Sequence, residues 1–287
     1  MVKLQIFDVE HGACALLTDD NGARMMIDCG HNATTGWKPG TYLKQQNVSS
    51  IEMLAITNYD EDHVSGANDL FDIINVQWLF RNTSVTSSTI KRLKSEDGMG
   101  AGIERLVKTI DTTFSGGGTL LGQPAWPQFT GMKYQLFNND YPTFDDENNL
   151  SMIVFLKCHG IGVMFTGDLE RAGCKELLKN DAFRKALSET NVFVAPHHGR
   201  EPACCEEAIQ YLSNVYYVVI SDKGYQYDTQ KTIPFYRRIA KKGGPFRNEK
   251  IRHVLTTRSD GEITFDFHQG SWGPTRLEVT KPQRVWI

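Results

Sequence analysis

The sequence predicts an α+β chain folded as a four-layer αββα sandwich. Three observations lead there. Short strand-like runs recur in both halves of the chain, helical-period segments follow several of them, and side chains of metal-ligand type stand immediately after four of the strands. The 287 residues, 40% hydrophobic and 23% charged, suffice for one large globular domain or two small ones. Because strand signals run from the first residues to the last fifth, a single domain over residues 1–287 is expected.

Val2–Val9 and Ala13–Thr18 read as strands, and Arg24–Asp28 as a third. The turn Asp19-Asp20-Asn21-Gly22 separates the second from the third, and Asn-Gly is a strong hairpin signal. Ile51–Thr57 reads as a buried strand ending at an acidic cluster. Ser65–Ile74 reads as a helix, with Ala67, Leu70, Phe71 and Ile74 at helical spacing, and Val76–Phe80 as a short strand. Residues 84–129 differ in character. Two amphipathic stretches, Ser88–Ser95 and Gly102–Thr113, and the run Gly116-Gly117-Gly118 predict an inserted helical segment with a mobile connection, serving as a lid, a substrate wall or a plain insertion. No Lys-Ser or Lys-Thr follows the glycines, so they form no phosphate loop.

The second half restarts the pattern. Leu150–Cys158 and Gly162–Thr166 form a hairpin through His159-Gly160, followed by helices at Leu169–Leu178 and Phe183–Leu187. Asn191–Ala195 is an apolar strand running into Pro196-His197-His198-Gly199. Ala203–Leu212 reads as a helix, Val215–Ser221 as a strand and Ile233–Lys242 as a helix; His253–Thr257 and Glu262–Phe267 are the last predicted strands.

Composition excludes several classes. No run of eighteen apolar residues exists, so no membrane helix is predicted. The start, Met1 to Phe7, alternates like a strand and lacks the apolar core of a signal peptide, which predicts a cytoplasmic protein. Six scattered cysteines without CxxC spacing predict reduced, mostly buried thiols; the adjacent Cys204 and Cys205 are expected to pack on a helix. From Lys223 to Ile287, thirteen Lys or Arg face six Asp or Glu, a net +7 against −10 in the preceding residues. Such a basic quarter suits a polyanionic substrate, or is a solvated face. Trp272 and Trp286 could stack on bases there, with core packing the ordinary role.

Four strand ends carry the chemistry: Asp60, Asp62 and His63 after Ile51–Thr57; Asp168 after Met164-Phe165-Thr166-Gly167; His197 and His198 after Asn191–Ala195; and Asp28 after Met25-Met26-Ile27. Strand ends on one sheet edge can converge side chains rigidly. Alone, each is weak: Asp168 also suits a helix N-cap, and His11, after the first strand, is expected to serve a turn even though it could approach the site.

Phe7-Asp8-Val9-Glu10-His11-Gly12, Met26-Ile27-Asp28-Cys29-Gly30, the stretch Thr57 to Gly66, Phe165-Thr166-Gly167-Asp168 and Pro196-His197-His198-Gly199 together resemble the metallo-β-lactamase fold superfamily. The likeness spans Val2 to about Phe267, the 84–129 insertion excepted, and is nearest the hydrolase domain of the competence protein ComEC and its stand-alone relatives. It implies a metal site in which HxHxDH, or HxDxDH in the ComEC type, supplies two adjacent metals. Here those positions hold Asn58, Asp60, Asp62 and His63. An amide oxygen is a weaker zinc ligand than an imidazole. The family's separate histidine has no match beyond His159, in a hairpin turn. Its late histidine motif is matched only by Tyr225-Gln226-Tyr227-Asp228-Thr229-Gln230, leaving Tyr227, Thr229 or a nearby lysine for phosphate. The resemblance implies one sound half-site (Asp62, His63, Asp168 and His197) beside a weakened one (Asn58 and Asp60). One divalent metal is expected to bind firmly, zinc or manganese given the oxygen-rich set, with a second loose or absent. Asp62, Asp60 and His198 are its implied catalytic residues, His198 as proton donor to a leaving group.

Three functions follow. The first is a phosphodiesterase or nuclease acting on a nucleic acid or nucleotide through a metal-activated water. The second is a hydrolase of another bond, such as a lactone, thioester or phosphate monoester. The third is a metal-poor binding or regulatory module.

Overall fold

The computed structural model describes residues 1–96, 98–115, 127–223, 231–246, 250–270 and 276–280. Fifteen strands are described: β1 Val2–Ile6, β2 Ala15–Thr18, β3 Arg24–Ile27, β4 Ser50–Ala55, β5 Asn75–Phe80, β6 Met132–Asn138, β7 Met152–Cys158, β8 Ile161–Phe165, β9 Thr190–Val194, β10 Tyr217–Ile220, β11 Gly244–Phe246, β12 Lys250–Arg252, β13 Val254–Thr256, β14 Ile263–His268 and β15 Arg276–Thr280. Seven form one sheet in the order β15-β14-β1-β2-β3-β4-β5, and six form another, β13-β10-β9-β8-β7-β6; β11 and β12 pair separately.

Period-two alternation dictates the layering. Ala15, Leu17, Met25, Ile27, Met53 and Ala55 face the second sheet, where they meet Val154, Leu156, Val163 and Val192. Their neighbours Leu16, Met26 and Leu54 face outward onto a helical layer containing Leu43, Leu70, Ile103 and Leu106. On the other side Ile153, Phe155, Met164 and Phe193 pack on Phe183, Leu187, Tyr236 and Ile239. Three apolar cores therefore separate four layers, as the sequence predicts.

Strand direction places the chemistry. β3, β4 and β5 run parallel, as do β8, β9, β10 and β13, while the remaining neighbours are antiparallel. The two sheets are stitched together at one rim: the Met152 amide donates to the Thr57 carbonyl (2.7 Å) and the Ser221 hydroxyl to the Gly12 carbonyl (2.6 Å). The C-terminal ends of both sets meet there.

Several elements depart from the sequence reading. β6, half-exposed at a sheet edge, carries too weak an apolar pattern to announce itself, and helix Pro39–Gln45 is likewise added. β15 extends the first sheet beyond the expected last strand by pairing antiparallel with β14. The expected helix Ala203–Leu212 is instead a 3₁₀ turn, Glu201–Ala203, and a short helix, Glu206–Ile209; Cys204 and Cys205 between them are extended, so they do not sit on a helix. In the 84–129 segment the helices Ser87–Leu93 and Ala101–Thr112 pack Ile90, Ile103, Leu106 and Ile110 into the first outer core. The Gly116-Gly117-Gly118 run, the stretch Tyr225–Gln230, Trp272 and Trp286 lie outside the described residues. Among the described residues no helix is long and apolar enough to cross a membrane.

Candidate metal centre

His63 is set first. Asp28, just after β3, adopts a left-handed φ of 56° and is buried. Its Oδ1 accepts the Thr57 amide (2.7 Å), and its Oδ2 accepts the Thr57 hydroxyl and lies 2.9 Å from His63 Nδ1. A carboxylate only accepts, so Nδ1 carries a hydrogen and Nε2 is the outward nitrogen. Nε2 in turn lies 2.9 Å from Asp168 Oδ1. Burial works against a charge on His63, but Asp168 and Asp28 outweigh it and hold its pKa well above the ordinary value.

Asp168 follows β8 through Gly167 (φ 52°) and is buried; its amide donates to Ser151 Oγ (3.1 Å), so its carboxylate is free to face the rim. Burial opposes its charge too, and His63 and His198 nevertheless hold it well below the usual carboxylate range.

Both histidines after β9 take left-handed backbone, φ 48° at His197 and 52° at His198, an uncommon conformation for residues with a side chain. This turn decides which ring faces inward. His198 Nδ1 lies 2.9 Å from the Ser221 carbonyl, so it donates there. Its buried Nε2 makes no hydrogen bond and lies 3.1 Å from Asp62 Oδ2 and 3.6 Å from Asp168 Oδ1. His197 sits to one side: Nε2 is 3.9 Å from Asp168 Oδ2 and 3.0 Å from an Arg200 nitrogen, while Nδ1 is 3.3 Å from Glu170. The ring that enters the cluster is thus the one the H-x-G spacing placed beside it.

His63, Asp168 and His198 each offer a donor atom, all within 4.8 Å of one another, and so do His11, Asp62 and His198. The fit to a divalent cation is physical. Two imidazoles have their Nδ1 committed to acceptors, their Nε2 atoms face carboxylates, and one buried Nε2 lacks a hydrogen-bond partner. A cation among them would satisfy every group at once. His11 is drawn in as well: its ring centroid is 4.3 Å from that of His198, and burial together with His198 lowers its pKa to about 4. The turn role expected of it understates its place.

The remaining expected residues stand apart. Asn58 is wholly buried and its amide is hydrogen-bonded at both ends: Nδ2 donates to the Glu147 carbonyl (3.1 Å) and Ser151 Oγ (3.0 Å), and Oδ1 accepts the Asp60 amide (2.7 Å). Its Nδ2 shares Ser151 Oγ with the Asp168 amide, one residue removed from the cluster. Asp60 pairs with Lys94, which also pairs with Glu147. Glu61 accepts the amides of Gly102 (2.9 Å) and Ile103 (3.0 Å) at the start of a helix. His159 pairs with Asp20, away from the rim. Gly12 and Gly30 let the loops close on this segment, since a Cβ at either would lie 2.6 or 2.5 Å from the Asp62 carbonyl oxygen. A cleft of about 520 Å³ opens over the cluster, lined by His11, Asp60, Asp62, Lys94, Glu147 and Arg200 among others. Lys94, Glu147 and Arg200 carried no signal in sequence. In the basic C-terminal quarter, Lys223, Arg238, Arg252, Arg258 and Arg276 each pair with a carboxylate, so five of its thirteen cations are neutralised locally.

No protein-family model matches the chain. In sequence it is similar to ComE operon protein 3 of Bacillus subtilis, 23% identical over 228 residues that cover 79% of this chain and 26% of that protein. The chain therefore spans about a quarter of that relative's length. Similar solved structures include a diphosphatase of the PhnP family (10% identical, TM-score 0.45, covering 93% of this chain and 98% of that one). Others are CmlA, a diiron β-hydroxylase from Streptomyces venezuelae (12%, TM-score 0.48, 91% and 53%), and ST1585, an archaeal metallo-β-lactamase superfamily protein from Sulfolobus tokodaii (12%, TM-score 0.33, 57% and 62%). By its own strand order and layering the chain is a four-layer αββα sandwich, and its sequence is similar to that of ComE operon protein 3.

Proposed function

We propose that the chain is a metal-dependent hydrolase acting on a phosphodiester, with residues 1–287 as one domain and 84–129 as its insertion. The observation that carries the reading is the pair of inward Nε2 atoms, of His63 and His198, converging on Asp168 and Asp62 with both Nδ1 atoms already committed. On this reading His63, Asp168, His198 and Asp62 hold one divalent ion, zinc or manganese. His197 stays beside them, and Asn58 is a structural residue. When bound, such an ion lowers the pKa of water from about 15.7 to near 7 and polarises a phosphoryl oxygen.

The chain's own residues do the rest. Asp28 holds the His63 ring and keeps its proton on Nδ1. His11, neutral at pH 7 because burial and His198 disfavour its charge, is placed to accept a proton at the mouth of the cluster. Arg200, 3.0 Å from His197 and 3.4 Å from His11, puts a guanidinium on the cleft wall where an anionic oxygen would lie. That cation, rather than the C-terminal basic residues, favours a phosphodiester over a neutral ester.

The reading is tested with bis-p-nitrophenyl phosphate and a short single-stranded DNA. Cleavage stimulated by manganese or zinc and lowered at least ~10³-fold in Asp168→Ala is expected, since a ligand to the ion acts in every step. Cleavage of p-nitrophenyl acetate with the diesters left intact would favour the other-ester reading instead.

A further inference from the structure

Asp60, Glu61 and Asp62 form a dense acidic run, yet only Asp62 joins the histidines. Glu61 is consumed by the amides at the start of helix Ala101–Thr112. Asp60 points to the other half of the cleft, where Glu147 joins it, and between the two lies the ammonium of Lys94. The lysine side chain is 6% exposed, against 29% and 21% for its partners, so it lies beneath them and is not a surface ion pair. It is also firmly placed. Lys94 terminates helix Ser87–Leu93 with its amide on the Ile90 carbonyl (3.0 Å), and its own carbonyl accepts the Gly98 amide (2.9 Å). Asn58, at the position where a histidine would serve a second metal, ties the Asp60 loop to Glu147 and Ser151 through hydrogen bonds at both ends of its amide, and an amide oxygen is a weaker ligand than the imidazole it replaces.

We propose that Lys94 occupies the second cation position of this cleft, so that the chain uses one metal ion and a built-in ammonium where two metals would otherwise sit. The proposal rests on the metal reading above and adds what fills the other half-site. Two carboxylates brought together without a counter-charge repel and would recruit a cation from solution. A lysine delivered from the 84–129 segment supplies one permanently, as a single positive charge with three donors. The consequence is a division of labour. Lys94 neutralises and can donate hydrogen bonds, but it cannot activate water as a metal does. Activation therefore belongs to the His63–Asp168–His198 side alone.

The experiment is a count of bound manganese on the whole chain, by calorimetric titration and by elemental analysis after gel filtration. The wild type is expected to take up one equivalent. Lys94→Ala, which frees Asp60 and Glu147, is expected to take up two. Lys94→Met, which keeps the packing of the stem and removes the charge, serves if the alanine variant does not fold and is expected to do the same. Lys94→Arg, which restores a cation, returns the count to one. Two equivalents in the wild type, or a single equivalent in a folded Lys94→Ala or Lys94→Met protein, would overturn the proposal. No manganese or zinc on any of these proteins would instead sink the metal reading beneath it.

Discussion

Asp28→Asn isolates the residue on which the geometry of His63 depends. The substitution keeps shape and volume but removes the charge, and it places an amide NH₂ or a neutral oxygen opposite three donors: the Thr57 amide, the Thr57 hydroxyl and His63 Nδ1. Hydrogen bonds to a buried charged group contribute roughly 1.5–3 kcal/mol each, and at least one of the three must be lost or reversed, so a destabilisation of about 2–4 kcal/mol is expected. The second effect falls on the metal. A carboxylate behind the ligating imidazole orients the ring and raises its basicity, and its loss typically weakens metal affinity about 10–100-fold. Urea unfolding of the metal-free protein reads the first effect, and calorimetric titration with manganese, after circular dichroism has shown the fold intact, reads the second. Thr57→Val is the control, removing one hydroxyl while leaving the charge behind His63; its affinity should stay within about threefold of wild type. A folded Asp28→Asn protein with wild-type metal affinity would refute the idea that His63 presents Nε2 to a cation through Asp28.

Two further outcomes follow from the same geometry. His198→Gln should weaken manganese binding by at least ~100-fold while His197→Gln changes it less than about fivefold, because only the His198 Nε2 faces both Asp62 and Asp168; the reverse order in the titration would reinstate the assignment drawn from motif spacing. Burial pushes the Asp222 carboxyl up to about 6 against the pull of Arg258, 3.0 Å away. A carboxyl raised above its unfolded value favours the fold fully only below about 4, and that advantage is lost as pH rises through about 6. Unfolding curves from pH 5 to pH 8 should therefore show the wild type losing stability relative to Asp222→Asn, and parallel curves would contradict the burial argument.

What the sequence disclosed was whatever is periodic or lies next to a strand end. The alternation of Ala15, Leu16 and Leu17, or of Met25, Met26 and Ile27, is enough to put neighbouring residues into different cores. Asp28, His63 and Asp168 stand where strand-end reasoning puts them, because parallel strands deliver their C-terminal ends to one rim. The order of His197 and His198 was not legible. Spacing assumes ordinary backbone, whereas two consecutive left-handed residues rotate the second ring inward. The Lys94–Glu147 pair was hidden for a different reason: its members lie 53 residues apart, and a lysine on the polar side of an amphipathic stretch looks solvated until a carboxylate is folded over it. β6 and β15, edge strands with lysine, arginine and glutamate among their residues, lack the apolar runs that mark the central strands.

The proposed function requires this rim to bind a divalent ion between His63, Asp168, His198 and Asp62. Anomalous diffraction at the manganese edge, from a crystal grown with manganese, tests it most directly. A single strong peak within about 2.0–2.4 Å of His63 Nε2, His198 Nε2 and an Asp168 oxygen is the predicted result. A peak held by His197 and Asn58 with the His198 ring turned away, or no peak in the cleft at all, would contradict it.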